Sequence, residues 1–225
     1  MKEKIFELKD VWKTYFMKGV ETNALRGVDL EIKKGEYVAI LGPSGCGKST
    51  IMHIMGCLDT PTKGMVFVEE REISKLNDDE LAKIRREKIG FVFQAYNLIQ
   101  GLTAVENVAL PMRFSGHGRG ESQKKAKELL KKVGLVERSG HKPNELSGGE
   151  QQRVAIARSL ANDPEVILAD EPTGNLDTNA GKEIFELLED LHKKTGKTII
   201  IVTHDIKLAK RAHREIKMID GKISK

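Results

Sequence analysis

Short apolar patterns of the kind shown by half-buried strands, with turns between them, occupy residues 5–12, 28–32 and 65–68. Residues 37–41 (YVAIL) are instead a continuous apolar run, as in a strand buried on both faces, and they lead directly into Gly42 and a helix. Residues 89–93, 166–169 and 198–202 are further runs of this kind. They alternate with helical stretches, which predicts a parallel sheet covered by helices.

The middle of the chain has a different period. Residues 103–114, 121–133 and 147–161 read as helices. Thr103 with Glu106, and Ser147 with Glu150, have the spacing of capping boxes, and Gly134 is placed to stop the second helix. The segment SGHGRG, 115–120, reads as a flexible loop. A mostly helical insert over 96–160 therefore interrupts an α/β core and small β subdomain built from 1–95 and 161–225, all within one domain of 225 residues. The sequence shows no internal repeat, low-complexity tract or proline-rich linker.

Composition narrows the classes. With 39% hydrophobic and 32% charged residues the chain is an ordinary globular one, long enough for a well-buried core. A net charge of +5 admits an anionic partner, either nucleic acid or a membrane surface. The charges are dispersed, however, with no basic tail or arm, so they read as a solvated Lys/Glu-rich surface. Runs such as 37–41 and 199–202 fall far short of the about 20 consecutive apolar residues a membrane span needs. The chain is expected not to cross a bilayer, and any transport pathway is expected to belong to another chain. The opening MKEKIFELKD has no apolar core of a secretory signal. Cys46 and Cys57 lack metal-type spacing, which fits a reduced cytosolic protein.

The first chemical signal is G-P-S-G-C-G-K-S at residues 42–49, a match to G-x-x-x-x-G-K-[ST] between a predicted strand and helix. Its glycines let backbone N–H groups converge on phosphate oxygens, and the helix that follows presents free N–H groups and a partial positive charge. Lys48 is placed to reach β- and γ-phosphates, and the Ser49 hydroxyl to coordinate Mg²⁺. The second signal is V-I-L-A-D-E at 166–171, an apolar strand ending in acids. It would bring Asp170 to the Mg²⁺ sphere and let Glu171 polarise an attacking water as general base.

Residues 146–150, L-S-G-G-E, complete a set. With the phosphate loop and V-I-L-A-D-E in this order, almost the whole chain resembles the ATP-binding subunits of ABC transporters. That family's signature is L-S-G-G followed most often by Gln; Glu150 is a mild departure that the family pattern admits. The resemblance implies an α/β fold: a P-loop NTPase core with a mostly parallel sheet, a small antiparallel β subdomain and a helical insert carrying the signature. It implies an ATPase, converting ATP and water to ADP and phosphate, with ATP and Mg²⁺ bound.

Residue by residue, the resemblance makes Tyr15, in K-T-Y, the ring that stacks on adenine. Gly42, Pro43, Ser44, Gly45, Cys46, Gly47, Lys48, Ser49 and Thr50 hold the phosphates. Gln94 matches the glutamine that touches Mg²⁺ and the attacking water and joins the core to the insert. Ser49, Gln94 and Asp170, the last directly or through water, are the implied metal ligands. Glu171, His204, Gln94 and Lys48 are the implied catalytic residues, with His204 on the γ-phosphate. Ser147, Gly148 and Gly149 cap the γ-phosphate held by a second copy, with Glu150 of the same signature helping to cap the helix start, and Asn175, Leu176 and Asp177 match a loop that crosses that dimer interface. The other histidines, His53, His117, His141, His192 and His213, read as structural or solvated.

Residues 54–64 (IMGCLDTPTKG), 146–160 and 171–177 are similar to the lipoprotein-release and macrolide-export branch. The implied partners are a second copy, in an ATP-dependent head-to-tail dimer, and an integral membrane permease with a large extracytoplasmic domain. The implied location is cytoplasmic, peripheral on the inner face of the cell membrane. An alternative is a soluble ABC-type ATPase acting on a scaffold, as in iron–sulfur assembly. A nucleic-acid-linked ATPase is a third class. Relatives of that class carry long coiled coils or two cassettes, neither of which is present in this sequence, so no nucleic-acid partner is expected.

Overall fold

The computed structural model describes residues 3–17 and 19–224. In chain order the elements are β1 (Lys4–Met17), β2 (Val20–Lys33), β3 (Tyr37–Leu41), α1 (Lys48–Met55), β4 (Lys63–Val68), β5 (Arg71–Glu72), α2 (Asp78–Lys88) and β6 (Ile89–Val92). They continue with α3 (Ala104–Phe114), α4 (Arg119–Lys132), α5 (Gly148–Ser159), β7 (Val166–Asp170), α6 (Thr178–Thr195), β8 (Thr198–Thr203), α7 (Ile206–Ala209), β9 (Arg214–Ile219) and β10 (Lys222–Ser224). The chain divides into two compact units: the described residues of Met1–Arg85 with Lys197–Lys225, and Arg86–Gly196.

The first unit holds an antiparallel sheet in the order β2-β1-β4-β5. β1 and β2 are each 14 residues long, well beyond the strand-like patterns in the sequence. The reason is a series of bulges: the β1–β2 register shifts between Leu8 and Val11, between Val11 and Trp12, and between Lys13 and Thr14. Asp10 adopts a left-handed φ of 47° there. Each shift moves the buried face, so the period-2 signal fades although pairing continues. In the same unit, β3 runs parallel to both β8 and β9, with Ile40 opposite Val202 and Ile216. Every residue of β3 and β8 is buried, which is why their sequences are unbroken apolar runs.

The second unit contains the parallel pair β6–β7 and the helices α3 to α6. Both capping boxes form: Thr103 starts α3 with Glu106, and Ser147 starts α5 with Glu150. Gly134 follows α4 with a φ of 76°. The segment read as a flexible loop is shorter than expected, because α4 begins at Arg119. Gly118 is its N-cap, and the Ser122 hydroxyl donates back to the carbonyls of Gly118 and Arg119 at 2.9 and 3.1 Å. The fully buried Asn107 on α3 accepts from Ile99 N–H and donates to the carbonyls of Ile99, Leu102 and Thr103, fixing the turn that leads into the helix. α6 is capped by Asp177 and buries Ile184, Phe185, Leu188 and Leu191 along one stripe. Among the described residues, no helix is long and apolar enough to cross a membrane.

Candidate functional site

The site residues fall in both compact units. In the first, β3 delivers the chain into the loop 42–47, and α1 begins at Lys48. Two glycines are forced there by close approach. A Cβ on Gly42 would lie 2.2 Å from Met218 O and 2.5 Å from Cys46 Sγ, and one on Gly47 would lie 2.5 Å from Ala24 O. Gly47 is also left-handed, with φ 102°. Pro43, Ser44 and Gly45 form an exposed crest, whereas Cys46 and Lys48 are buried. Gly47, as N-cap of α1, supplies no side-chain cap to the first-turn N–H groups, and no acidic side chain lies in that turn. That is the arrangement that attracts an anion. Lys48 Nζ donates to the carbonyls of Gly42 and Pro43, both at 2.8 Å, so its ammonium is held inside the curve of the loop.

Also in this unit, Tyr15 is half-buried on β1 with its hydroxyl bonded to Asp59 Oδ2 at 2.8 Å. Partial burial first, and then the Asp59 carboxylate, push the Tyr15 phenol up, so it stays a protonated donor. His204 is exposed directly after β8, beside Asp205, which caps α7.

In the second unit, β7 ends at the half-buried Asp170. Glu171 then adopts a φ of 45°, a region that costs a non-glycine residue about 1–3 kcal/mol and recurs at functional sites. Gly174 N–H closes the following turn on Glu171 O at 2.9 Å. Gln94 meets this turn. Its Nε2 donates to Asn175 Oδ1 at 3.2 Å, and Asn175 Nδ2 donates to Gln94 O at 3.0 Å. A Cβ on Gly174 would lie 2.7 Å from Gln94 Nε2, so glycine is what lets the glutamine lie there.

The signature segment opens α5. Ser147 Oγ accepts from Glu150 N–H at 3.3 Å, and Glu150 Oε2 accepts from Ser147 N–H at 2.8 Å. Backbone bonding to Ser147 holds the Glu150 carboxyl below its usual range against the opposing effect of burial, and Arg138 adds to this. Ser147, Gly148, Glu150, Asn175, Asp177 and Ala180 line one open cleft. Asp177 itself caps α6, accepting from the N–H groups of Asn179 and Ala180 at 2.9 and 3.0 Å.

Two residues of α5 that the sequence reading did not single out tie these segments together. The buried Gln152 donates to Pro172 O at 2.8 Å and Phe93 O at 3.4 Å. Arg158 donates to Tyr96 O at 2.8 Å and to Asn97 O, bracing a pair of left-handed residues with φ 61° and 50°. Lys13 and Asp59, around Tyr15, were likewise not singled out. Asp59 lies inside the 54–64 segment, where an acid just past an apolar helix was the available signal.

The sequence pattern of the ABC transporter family matches residues 25–174. The chain belongs to this family. An ABC transporter ATP-binding protein of Thermotoga maritima is 56% identical to this ABC ATPase over 98% of the chain and 94% of the relative. The macrolide export ATP-binding/permease protein MacB of Hyphomonas neptunium is 52% identical, and the match covers 97% of this chain but 34% of that protein. Among solved structures, a dimeric post-hydrolysis state of the ATP-binding cassette MJ0796, bound to ADP and Pi, matches with a TM-score of 0.91 and 51% identity over 98% of this chain and 97% of that one. MJ0796 comes from Methanocaldococcus jannaschii. The likeness bears out the α/β cassette fold expected of this ABC ATPase.

Proposed function

We propose that this ABC ATPase is the ATP-hydrolysing, nucleotide-binding subunit of an export or membrane-mechanotransmission system. It works as a head-to-tail dimer with ATP between the copies, beside a separate permease with a large extracytoplasmic domain. Its place is cytoplasmic, on the inner face of the cell membrane. The observation that carries this reading is the presence of two glycine-lined helix N-termini in one chain, at α1 and α5, each in its own compact unit. One such end suffices to hold a nucleotide's phosphates, and the second is free to serve another copy's nucleotide. The relatives support the same reading: MJ0796 is described as dimeric, and MacB as a macrolide export protein with its own permease part.

In this reading the amides of residues 42–49 cradle the phosphates, Lys48 neutralises the β- and γ-phosphates, and Tyr15 stacks on adenine. Ser147, Gly148 and Gly149 of one copy face the γ-phosphate held by the other, and Glu150 fixes that helix end through its cap. Asp177 steadies the loop that meets the partner copy. Glu171 orients a water and takes its proton as the water oxygen bonds to the γ-phosphorus. The bond to the bridging oxygen breaks, and ADP is the leaving group. His204 holds the γ-phosphate from the end of β8.

The donor set suits Mg²⁺. The Ser49 hydroxyl, the Gln94 side-chain oxygen and the Asp170 carboxylate are hard oxygen ligands. Bound there, Mg²⁺ would neutralise charge on the phosphates.

The test is a pull-down of tagged Glu171→Gln protein from detergent-solubilised source membranes with ATP. A stoichiometric few-span membrane subunit supports the reading. A soluble scaffold, or nucleic acid with no membrane chain, overturns the transport role and leaves the ATPase.

A further inference from the structure

The segment 54–64, notable in the sequence only as a branch resemblance, is where the last turn of α1 hands over to β4. It is laced to β1 at several points within the first unit. Thr62 N–H donates to Trp12 O at 2.8 Å, and Thr14 N–H donates to Thr62 Oγ1 at 3.0 Å. A Cβ on Gly64 would lie 2.2 Å from Asp10 O, so the two segments touch backbone to backbone. At the other end the segment hangs from α1, with the N–H groups of Leu58 and Asp59 on His53 O at 2.8 and 3.3 Å. Asp59 sits at the centre. It accepts the Tyr15 hydroxyl on Oδ2, and Lys13 Nζ and Thr60 N–H on Oδ1. Lys13 also donates to Thr60 O and lies 5.0 Å from the centre of the Tyr15 ring. Burial works to raise the Asp59 carboxyl, but the bonds from Lys13, Tyr15 and Thr60 together outweigh it and hold it below the usual range, so the anchor stays charged.

We infer that Asp59 is a positioning residue for the nucleotide base: it fixes the Tyr15 ring relative to α1, the helix that starts at the phosphate loop. The inference rests on the proposed stacking of Tyr15 on adenine. An unanchored tyrosine loses rotamer freedom when a base stacks on it; a ring already held by Asp59 and Lys13 has little left to lose. The anchor acts on the base and leaves the phosphate cradle unaffected, so its removal separates ligands that carry a base from those that do not.

The experiment measures affinities of ATP and inorganic tripolyphosphate, each with Mg²⁺, for the full chain carrying Glu171→Gln to suppress turnover. Asp59→Asn is expected to weaken ATP by about 3- to 10-fold, the scale of ordering one or two side chains, and to leave tripolyphosphate unchanged. Tyr15→Phe, which keeps the ring and loses the anchor, is expected to do the same, with no further loss when both changes are combined. If Asp59→Asn weakens both ligands equally, the segment acts on the cradle and the inference falls. If Tyr15→Ala weakens ATP while Asp59→Asn and Tyr15→Phe do not, the anchor is idle and the inference falls alone. If Tyr15→Ala leaves ATP affinity unchanged, the stacking reading itself fails.

Discussion

Gln94 and Asn175 exchange two hydrogen bonds, Nε2 to Oδ1 at 3.2 Å and Nδ2 to the Gln94 carbonyl at 3.0 Å, across 81 residues of sequence. The glutamine proposed to meet Mg²⁺ and water is therefore tied to the turn that follows Glu171. Both residues are exposed, so the pair belongs at the low end for neutral hydrogen bonds, about 1 kcal/mol together. Asn175→Ala is expected to lower the melting temperature by about 2–4 °C. Calorimetry of the two proteins checks this, and an unchanged transition would mean that the pair contributes nothing to stability.

Ser147 has two tasks, capping α5 and, in the proposed dimer, facing the partner's γ-phosphate. Ser147→Arg removes the cap acceptor, worth about 0.5–2 kcal/mol, and adds positive charge where a helix disfavours it. A modest drop in stability is expected, with ATP affinity of the monomer retained. In the Glu171→Gln background, light scattering with ATP should show no dimer. A normal ATP-driven dimer would contradict the sandwich arrangement.

The capping boxes carry a pH signature. Glu150 is lowered on folding chiefly by Ser147 N–H, and Glu106 chiefly by Thr103 N–H. A carboxyl lowered on folding contributes stability that is complete above its ordinary value and is lost as pH falls through the lower folded value. Glu150→Gln keeps a side chain able to accept from Ser147 and removes the titration. Its melting temperature should fall less steeply than that of the parent as pH drops below about 4.3. Parallel acid-side curves would show that the Glu150 cap is not coupled to folding.

Cys57 tests how firmly the segment 54–64 is closed. Its side chain is 1% exposed, and burial pushes the thiol up to about 11 although Arg85 opposes the shift. Iodoacetamide at neutral pH should leave Cys57 unmodified in the native protein and label it after urea unfolding, as read by peptide mass spectrometry. Rapid native labelling would reveal opening of the segment that anchors Tyr15.

Much of this was legible in the sequence because it rests on short-range physics. Residues 37–41 are a strand end to end, since a strand buried on both faces has no polar positions to blur its limits. The starts of α3 and α5 follow from side chains reaching three residues along the chain. At Gly47 the positive φ is a local demand that glycine meets, whereas the closest crowding at Gly42 and Gly47 comes from Met218 and Ala24, far along the chain, and had no signal in the sequence. The run of β1 past Trp12 was hidden by bulges, whose register depends on the partner strand. The start of α4 was hidden because a glycine-rich segment can cap a helix as readily as it can form a loop.

By itself, then, the sequence determined the class of fold, the strands and helices with one dominant period, and the residue types proposed to meet phosphate and water. Only the tertiary structure decided that Tyr15 hangs from Asp59, 44 residues away, that Gln94 lies on Asn175, and that Gln152 and Arg158 brace the backbone around them. Those pairings have no periodic or local signature. Each exists because separate strands and helices bring two polar groups within reach, and at the buried Gln152 leaving the group unpaired would cost more than joining it.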